Sequence, residues 1–198
     1  WWGEGRIRVA GIYEVGRGPL AGPVVAAAVV FPMGAKPIRG LDDSKVLTAI
    51  QRAEFAAKIR ERAFAIAVGA ASVREIDRLN IRRASLEAMR RSVARLKVAP
   101  TLVLVDGDVD VPGCPHPQRT VVDGDARLIS IAAASVLAKV VRDRIMERLD
   151  RVWPGYGFAQ HKGYATAEHL DAIDRLGPCA LHRYSFRPVY ELELPLGV

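Results

Sequence analysis

The chain has 198 residues, half of them apolar, and carries a formal charge of +7 at pH 7. This length and composition favour one globular domain, with or without a small appendage, and exclude a wholly disordered chain. The longest apolar run, residues 24–31, is far shorter than the ~20 residues that a membrane span needs. No signal-peptide pattern or disulfide framework is visible, so we expect a cytoplasmic protein without membrane contact.

The positive charge is concentrated in the first half of the chain. Residues 1–100 carry a net charge of +9, whereas residues 101–198 carry −2. A basic half suggests a polyanionic partner such as nucleic acid. A basic surface that only aids solubility fits the same charge distribution.

The first half is predicted to contain three strands, at residues 6–13, 24–31 and 64–71, because these segments alternate or are rich in Val and Ala. Between them, residues 48–62 have helical spacing with Thr48 as a candidate N-cap, and Ser72 with Glu75 forms a capping-box pattern. Residues 81–97 are predicted to form an amphipathic, arginine-rich helix.

The second half is predicted to contain strands at 102–105 and 119–122, a long helix at 126–149 and a short helix at 166–176. This order predicts a mixed α/β sheet in which an antiparallel meander is joined to parallel strands. We expect residues 1–152 to form the main domain. Residues 153–198 are expected to be a small helical and loop extension packed on it.

Three carboxylates stand at positions that suit a metal site. Glu14 follows the first predicted strand, Asp106 follows the fourth, and Asp143 lies on the long helix. Strand ends are where open α/β sheets build sites, and hard cations such as Mg²⁺ and Mn²⁺ prefer carboxylate oxygens. Each residue also has an ordinary explanation, as a solvated strand end, a turn residue or an ion-pair partner.

Two further motifs suit contacts with nucleic acid. The segment Gly16-Arg17-Gly18 places an arginine between two flexible residues, which suits close approach to a phosphate or sugar. Aromatic residues alternate with His and Lys in residues 153–164, a pattern that suits either base stacking or a packed loop.

These residues together resemble a known family, the bacterial type 2 ribonuclease H (ribonuclease HII). The resemblance begins with residues 10–23, AGIYEVGRGPLAGP, and covers nearly the whole chain in order. Further matching segments are residues 43–45, 75–81, 105–107, 124–125, 130–144, 156–164 and 182–186.

The resemblance implies a ribonuclease-H-like fold, with a mixed five-stranded sheet flanked by helices and a small C-terminal helical extension. It also implies metal-dependent endonucleolytic cleavage of the RNA strand in RNA–DNA hybrids, and cleavage 5′ to a single ribonucleotide in duplex DNA. Two Mg²⁺ or Mn²⁺ ions would activate a water and stabilise the leaving oxygen. The family suggests a monomer.

The resemblance also implies roles for individual residues. The family's metal-binding acids map onto the position of Tyr13 and onto Glu14, Asp106 and Asp143. Gly16, Arg17 and Gly18 match the loop that senses the ribonucleotide 2′-hydroxyl. Lys45 matches a lysine near the phosphates, and Tyr164 matches the tyrosine that packs on the sugar next to the junction.

One departure from the family falls within the expected metal site. Where the family has Asp, this chain has Tyr13, whose hydroxyl has an ordinary pKa near 10 and is a weak ligand for a hard cation. We therefore expect hybrid binding to survive while metal binding and turnover are impaired. The alternative function is a non-catalytic protein that binds RNA–DNA hybrids or junctions.

Overall fold

The computed structural model describes residues 8–36, 38–41 and 47–192, without the side chains of residues 190 and 192. Lys45, expected near the phosphates, therefore lies outside the described residues. The strands are β1 Val9–Val15, β2 Val24–Val30, β3 Ala65–Ala71, β4 Leu102–Asp106 and β5 Gln118–Val121. The helices are α1 Ala49–Arg62, α2 Val73–Leu79, α3 Ile81–Ala94, α4 Gly124–Arg127, α5 Ile129–Val152, α6 Phe158–His161, α7 Ala167–Leu176 and α8 Val189–Leu192.

The strands form one five-stranded mixed sheet in the order β3-β2-β1-β4-β5. Neighbouring strands are antiparallel from β3 to β1 and parallel from β1 to β5. This arrangement confirms the predicted sheet. It also brings the carboxyl ends of β1 and β4 to the same edge.

The core lies on both faces of β2, whose seven residues are all buried. Its even-numbered residues pack with α3, and Ala27 and Val29 pack with α5. A strand covered on both faces needs a continuous apolar sequence, which explains the Val and Ala run. Close packing extends to β1, where a Cβ on Gly11 would lie 2.3 Å from the backbone carbon of Ser130.

The helix starts agree with the sequence, but one predicted helix was wrong in detail. Thr48 and Ser72 cap α1 and α2 with complete capping boxes. The predicted helix at 126–149 is instead two helices, α4 and α5, separated by Leu128 in an extended conformation. The break leaves α4 at the end of β4, where the Gly124 amide donates to Asp106 Oδ1 at 2.9 Å.

The C-terminal segment contacts the loop between β1 and β2. The Leu20 amide donates to the Gly163 carbonyl at 2.8 Å, and the Arg183 amide donates to the Leu20 carbonyl at 2.8 Å. Ala21 also forms an isolated β-bridge with His182. Within the described residues, no helix has the length and apolar character needed to cross a membrane.

Candidate metal and nucleic-acid site

Glu14 and Asp106 lie at neighbouring strand ends. The parallel register pairs Ile12 with Val105, so Tyr13 stands beside Asp106 at the sheet edge and Glu14 is the next residue along β1. Both carboxylates line a cavity of about 120 Å³, together with Arg17 and Ser85. The structure thus brings two of the three predicted acids together.

Glu14 is an almost buried carboxylate with an unsatisfied oxygen. Its side chain is 12% exposed, and Oε1 accepts a 3.3 Å hydrogen bond from Arg17 Nη1. Oε2 is buried and accepts no hydrogen bond from any described group. Burial raises the pKa of Glu14 to about 7, with Arg17 opposing the rise and Asp106 adding to it. A buried carboxylate of this kind favours a cation beside it.

Tyr13 points toward α5. Its side chain hydrogen-bonds with Ser135, and Lys139 Nζ lies 5.5 Å from the ring centroid. Burial raises the pKa of Tyr13 well above its ordinary value of 10.0, and the charges of Asp125, Asp106 and Glu14 raise it further. The hydroxyl therefore remains a neutral phenol at pH 7.

Asp125 is a carboxylate that the sequence analysis did not assign to the site. It is only 5% exposed. Its charge raises the Tyr13 pKa more than the charges of Asp106 and Glu14 do. The adjacent Gly124 amide binds Asp106. Residues 124–125 belong to one of the segments that match the family, so the sequence did contain a signal for Asp125. Nothing within that segment indicates that it lies next to Tyr13 in the fold.

Asp143 has a different environment. Its Oδ2 lies 3.3 Å from Arg52 Nη2, and it lines a separate cavity of about 700 Å³ with Lys139 and Tyr164. Asp125 is thus the acid with the largest effect on the Tyr13 hydroxyl, whereas Asp143 forms its ion pair with Arg52 in the other cavity.

The donor set suits a hard divalent cation in part. Carboxylate oxygens are the ligands that Mg²⁺ and Mn²⁺ prefer, and Glu14 offers a buried oxygen without a hydrogen-bond partner among the described groups. Among all the described residues, however, no three Asp, Glu, His or Cys side chains are grouped closely enough to hold a metal ion. Tyr13, at the position where the family resemblance implies a further acid, adds no anionic ligand.

The Gly16-Arg17-Gly18 loop and Tyr164 come together although they are far apart in sequence. A Cβ on Gly18 would lie 3.9 Å from Tyr164 Cε1, so the tyrosine ring stands beside this residue. Tyr164 is 47% exposed, which leaves a ring face accessible to a ligand. The arrangement suits a sugar held between loop and ring.

Two buried arginines hold this loop in place, and the sequence analysis missed both. Arg183 donates to the carbonyl oxygens of Gly16, Arg17 and Gly22 at 2.6–3.0 Å. Arg142 donates to the carbonyls of Ala21, Pro23 and Lys162 at 3.0–3.1 Å. Burial lowers the pKa of both guanidinium groups, to about 9 for Arg183.

A family model described as Ribonuclease HII matches residues 10–189. The chain belongs to the ribonuclease HII family. Members of this family are metal-dependent nucleases with ribonuclease H activity, which agrees with carboxylates at a sheet edge beside a glycine-arginine loop.

Named relatives and solved structures support the same family. The chain is 54% identical to a ribonuclease HII from Syntrophotalea carbinolica, over 95% of this chain and 89% of that protein. It is 53% identical to one from Paraburkholderia xenovorans, over 96% of this chain and 76% of that protein.

Two solved structures share the fold at 25% identity. The ribonuclease H2 of Pyrococcus horikoshii matches with a TM-score of 0.79, covering 94% of this chain and 97% of that one. A ribonuclease HII from Archaeoglobus fulgidus, solved in complex with PCNA, matches with a TM-score of 0.76, covering 91% and 95%.

Proposed function

We propose that this chain recognises RNA–DNA hybrids and single ribonucleotides in duplex DNA, and that it cleaves 5′ to the ribonucleotide with residual, metal-dependent activity. The observation that carries the proposal is the buried, unsatisfied Glu14 Oε2 beside Asp106, next to the Gly16-Arg17-Gly18 loop. Family membership supplies the reaction class.

Glu14 and Asp106 would hold divalent cations, Mg²⁺ or Mn²⁺, at the sheet edge. Because no three such side chains are grouped closely enough among the described residues, a third carboxylate, Asp125 or Asp143, would have to move closer when a cation binds. When bound, such ions supply activation of a water molecule and stabilisation of the leaving 3′-oxygen. Glu14 suits this role because burial disfavours its ionised form, and a bound cation would stabilise that form. Arg17, now 3.3 Å from Glu14, would be released to contact the substrate.

The loop and Tyr164 would provide recognition. The Gly16, Arg17 and Gly18 backbone, held by Arg183, would meet the 2′-hydroxyl and adjacent phosphate, and Tyr164 would pack on the neighbouring sugar. Lys45, outside the described residues, stays a predicted phosphate contact.

Tyr13 weakens catalysis in this proposal. It contributes a neutral phenol where the family contributes an anion, and its ring lies under the Lys139 ammonium. A site with one fewer negative charge binds divalent cations less tightly, because ligand charge supplies much of the attraction.

The test is cleavage of a duplex containing one ribonucleotide, with Mg²⁺ or Mn²⁺, by the wild type, Tyr13→Asp and Tyr13→Phe. We expect Tyr13→Asp to cleave at least about tenfold faster, a change of ~1.4 kcal/mol in the barrier. Tyr13→Phe, which keeps the ring and adds no charge, should match the wild type. Equal rates for the wild type and Tyr13→Asp would show that Tyr13 does not limit turnover.

A non-catalytic hybrid-binding protein is the second candidate, and the neutral Tyr13 beside an intact recognition loop favours it. It predicts tight binding of ribonucleotide-containing duplex with no cleavage above background. A chain that binds plain DNA equally well would remove both the sensing role of Arg17 and that of Tyr164.

A further inference from the structure

A second cavity, of about 700 Å³, is lined in part by Tyr164, the residue that stands beside the Gly16-Arg17-Gly18 loop. Its wall is built from four parts of the chain: the end of β1 at Val15, α1, the middle of α5 and the segment from α6 to Tyr164. The cations that line it are Arg52, Lys139, Arg142, Arg144 and Lys162. We call this surface the α1–α5 groove.

The acids in the α1–α5 groove are already neutralised. Asp143 pairs with Arg52 at 3.3 Å, and Glu147 pairs with Lys162 at 2.8 Å. Five cations against two acids leave a net charge of +3 among the lining residues. A concave surface with this charge attracts an anionic ligand.

The order of features along the surface identifies the anion. The Glu14–Asp106 cavity, the Arg17–Gly18 turn, Tyr164 and the α1–α5 groove follow one another, since Tyr164 contacts the loop and also lines the groove. A strand cut 5′ to its ribonucleotide has its scissile phosphate at the carboxylates. Its 3′ continuation must therefore leave past Tyr164.

We propose that the α1–α5 groove binds the phosphates of the substrate strand 3′ to the ribonucleotide, with Arg144 as a direct phosphate contact. This inference rests on the proposed function for its direction along the strand. Arg144 is exposed on α5 and lines the groove. Arg52 and Lys162 are each held by an acid, but no described residue forms an ion pair with Arg144, so its guanidinium can reach a backbone phosphate.

The test measures binding by fluorescence anisotropy, without divalent metal, at several salt concentrations. Each duplex carries one ribonucleotide and either a long 3′ flank or a flank cut back to the nucleotide next to the ribonucleotide. Arg144→Ala is compared with the wild type and with Arg74→Ala. The control removes an exposed positive charge from α2, outside the groove.

With the long 3′ flank, we expect Arg144→Ala to bind about three- to tenfold more weakly and to reduce the salt slope by about 1, as the loss of one phosphate contact requires. Arg74→Ala should match the wild type. On the trimmed duplex, the wild type should weaken and Arg144→Ala should weaken no further. Equal losses for Arg144→Ala on both duplexes, or a dependence on the 5′ flank instead, would overturn the proposal.

Failure of the proposed function gives a different result. Preference for ribonucleotide over plain DNA tests the loop, and Arg144→Ala should leave that preference unchanged because a phosphate contact does not read the 2′-hydroxyl. A wild type without preference, but with an Arg144 effect that depends on the 3′ flank, would leave the groove as a general duplex-binding surface. Unfolding midpoints confirm that each variant is folded.

Discussion

Asp125 and Asp143 separate two ways of completing the acidic site. Asp125 is buried beside Tyr13, whereas Asp143 pairs with Arg52 in the α1–α5 groove. The family resemblance pointed to Asp143, and its role as a ligand stays a prediction. The structure favours Asp125 instead, because it is buried and acts on the Tyr13 hydroxyl together with Asp106 and Glu14.

Asp125→Asn and Asp143→Asn decide between these residues. In a Tyr13→Asp background, we expect Asp125→Asn to weaken Mn²⁺ binding at least about tenfold, because a ligating charge is lost. Asp143→Asn should leave Mn²⁺ affinity unchanged and lower the free energy of unfolding by ~0.5–1 kcal/mol, through loss of its partly exposed ion pair. Calorimetric titration and urea unfolding measure the two effects. The reverse pattern would assign the ligand role to Asp143.

At the scale of elements, the recognition loop depends on α5 and on the C-terminal segment. Gly16 has φ of +90°, and a Cβ there would lie 2.2 Å from Arg142 Nε. Arg142 cannot easily move away, because its guanidinium donates to three backbone carbonyls. The conformation of the recognition loop and the packing of α5 therefore depend on each other.

Gly16→Ala tests this coupling, with Gly34→Ala as its control. Both residues have positive φ, but a Cβ on Gly34 meets no atom of the described residues within 4 Å. We expect Gly34→Ala to cost ~1 kcal/mol from backbone strain alone. Gly16→Ala should cost ~2–4 kcal/mol, because it also disturbs buried hydrogen bonds of a charged group, and should weaken hybrid binding. Equal costs in urea unfolding would show that Arg142 yields without penalty.

Much of this architecture could be predicted from the sequence, because its signals are local. Thr48 and Ser72 cap helices through contacts three residues away, and the β2 run shows its burial in its composition. The break at Leu128 is not local, since it accommodates α4 beside Asp106. The roles of Asp125 and Arg183 depend on distant partners, so no local periodicity indicates them.

At the scale of the whole molecule, the C-terminal segment contains a buried histidine pair. His169 Nε2 lies 3.1 Å from His182 Nε2, and His169 Nδ1 lies 2.8 Å from the Tyr164 carbonyl. The Cys179 amide donates to His182 Nδ1. These partners assign His182 Nε2–H as donor to His169 and His169 Nδ1–H as donor to Tyr164, with both rings neutral.

Stability should therefore fall in acid. Burial lowers the pKa of His169 from 6.5 to about 4 and also lowers that of His182. Below pH 6.5 the unfolded chain binds more protons than the folded one, so the free energy of unfolding decreases as pH falls from about 6.5 toward about 4. The expected loss attributable to His169 is ~3 kcal/mol.

Urea unfolding across this pH range measures the loss. His169→Gln keeps a donor toward Tyr164 and removes the titrating ring, so its stability should depend less steeply on pH. His116→Gln, which changes a histidine outside the pair, should retain the wild-type slope. An unchanged slope in His169→Gln would assign the acid sensitivity to other groups.

The backbone hydrogen bonds of Leu20 with Gly163 and Arg183 can form only late in synthesis, after both residues have been translated. The strands of the meander can pair as soon as they leave the ribosome, because their partners are close in sequence. The recognition loop lacks its supporting carbonyl contacts until residue 183 has been translated. A nascent chain would thus hold a formed sheet for some time before it could discriminate a ribonucleotide, which separates the acquisition of fold from the acquisition of specificity.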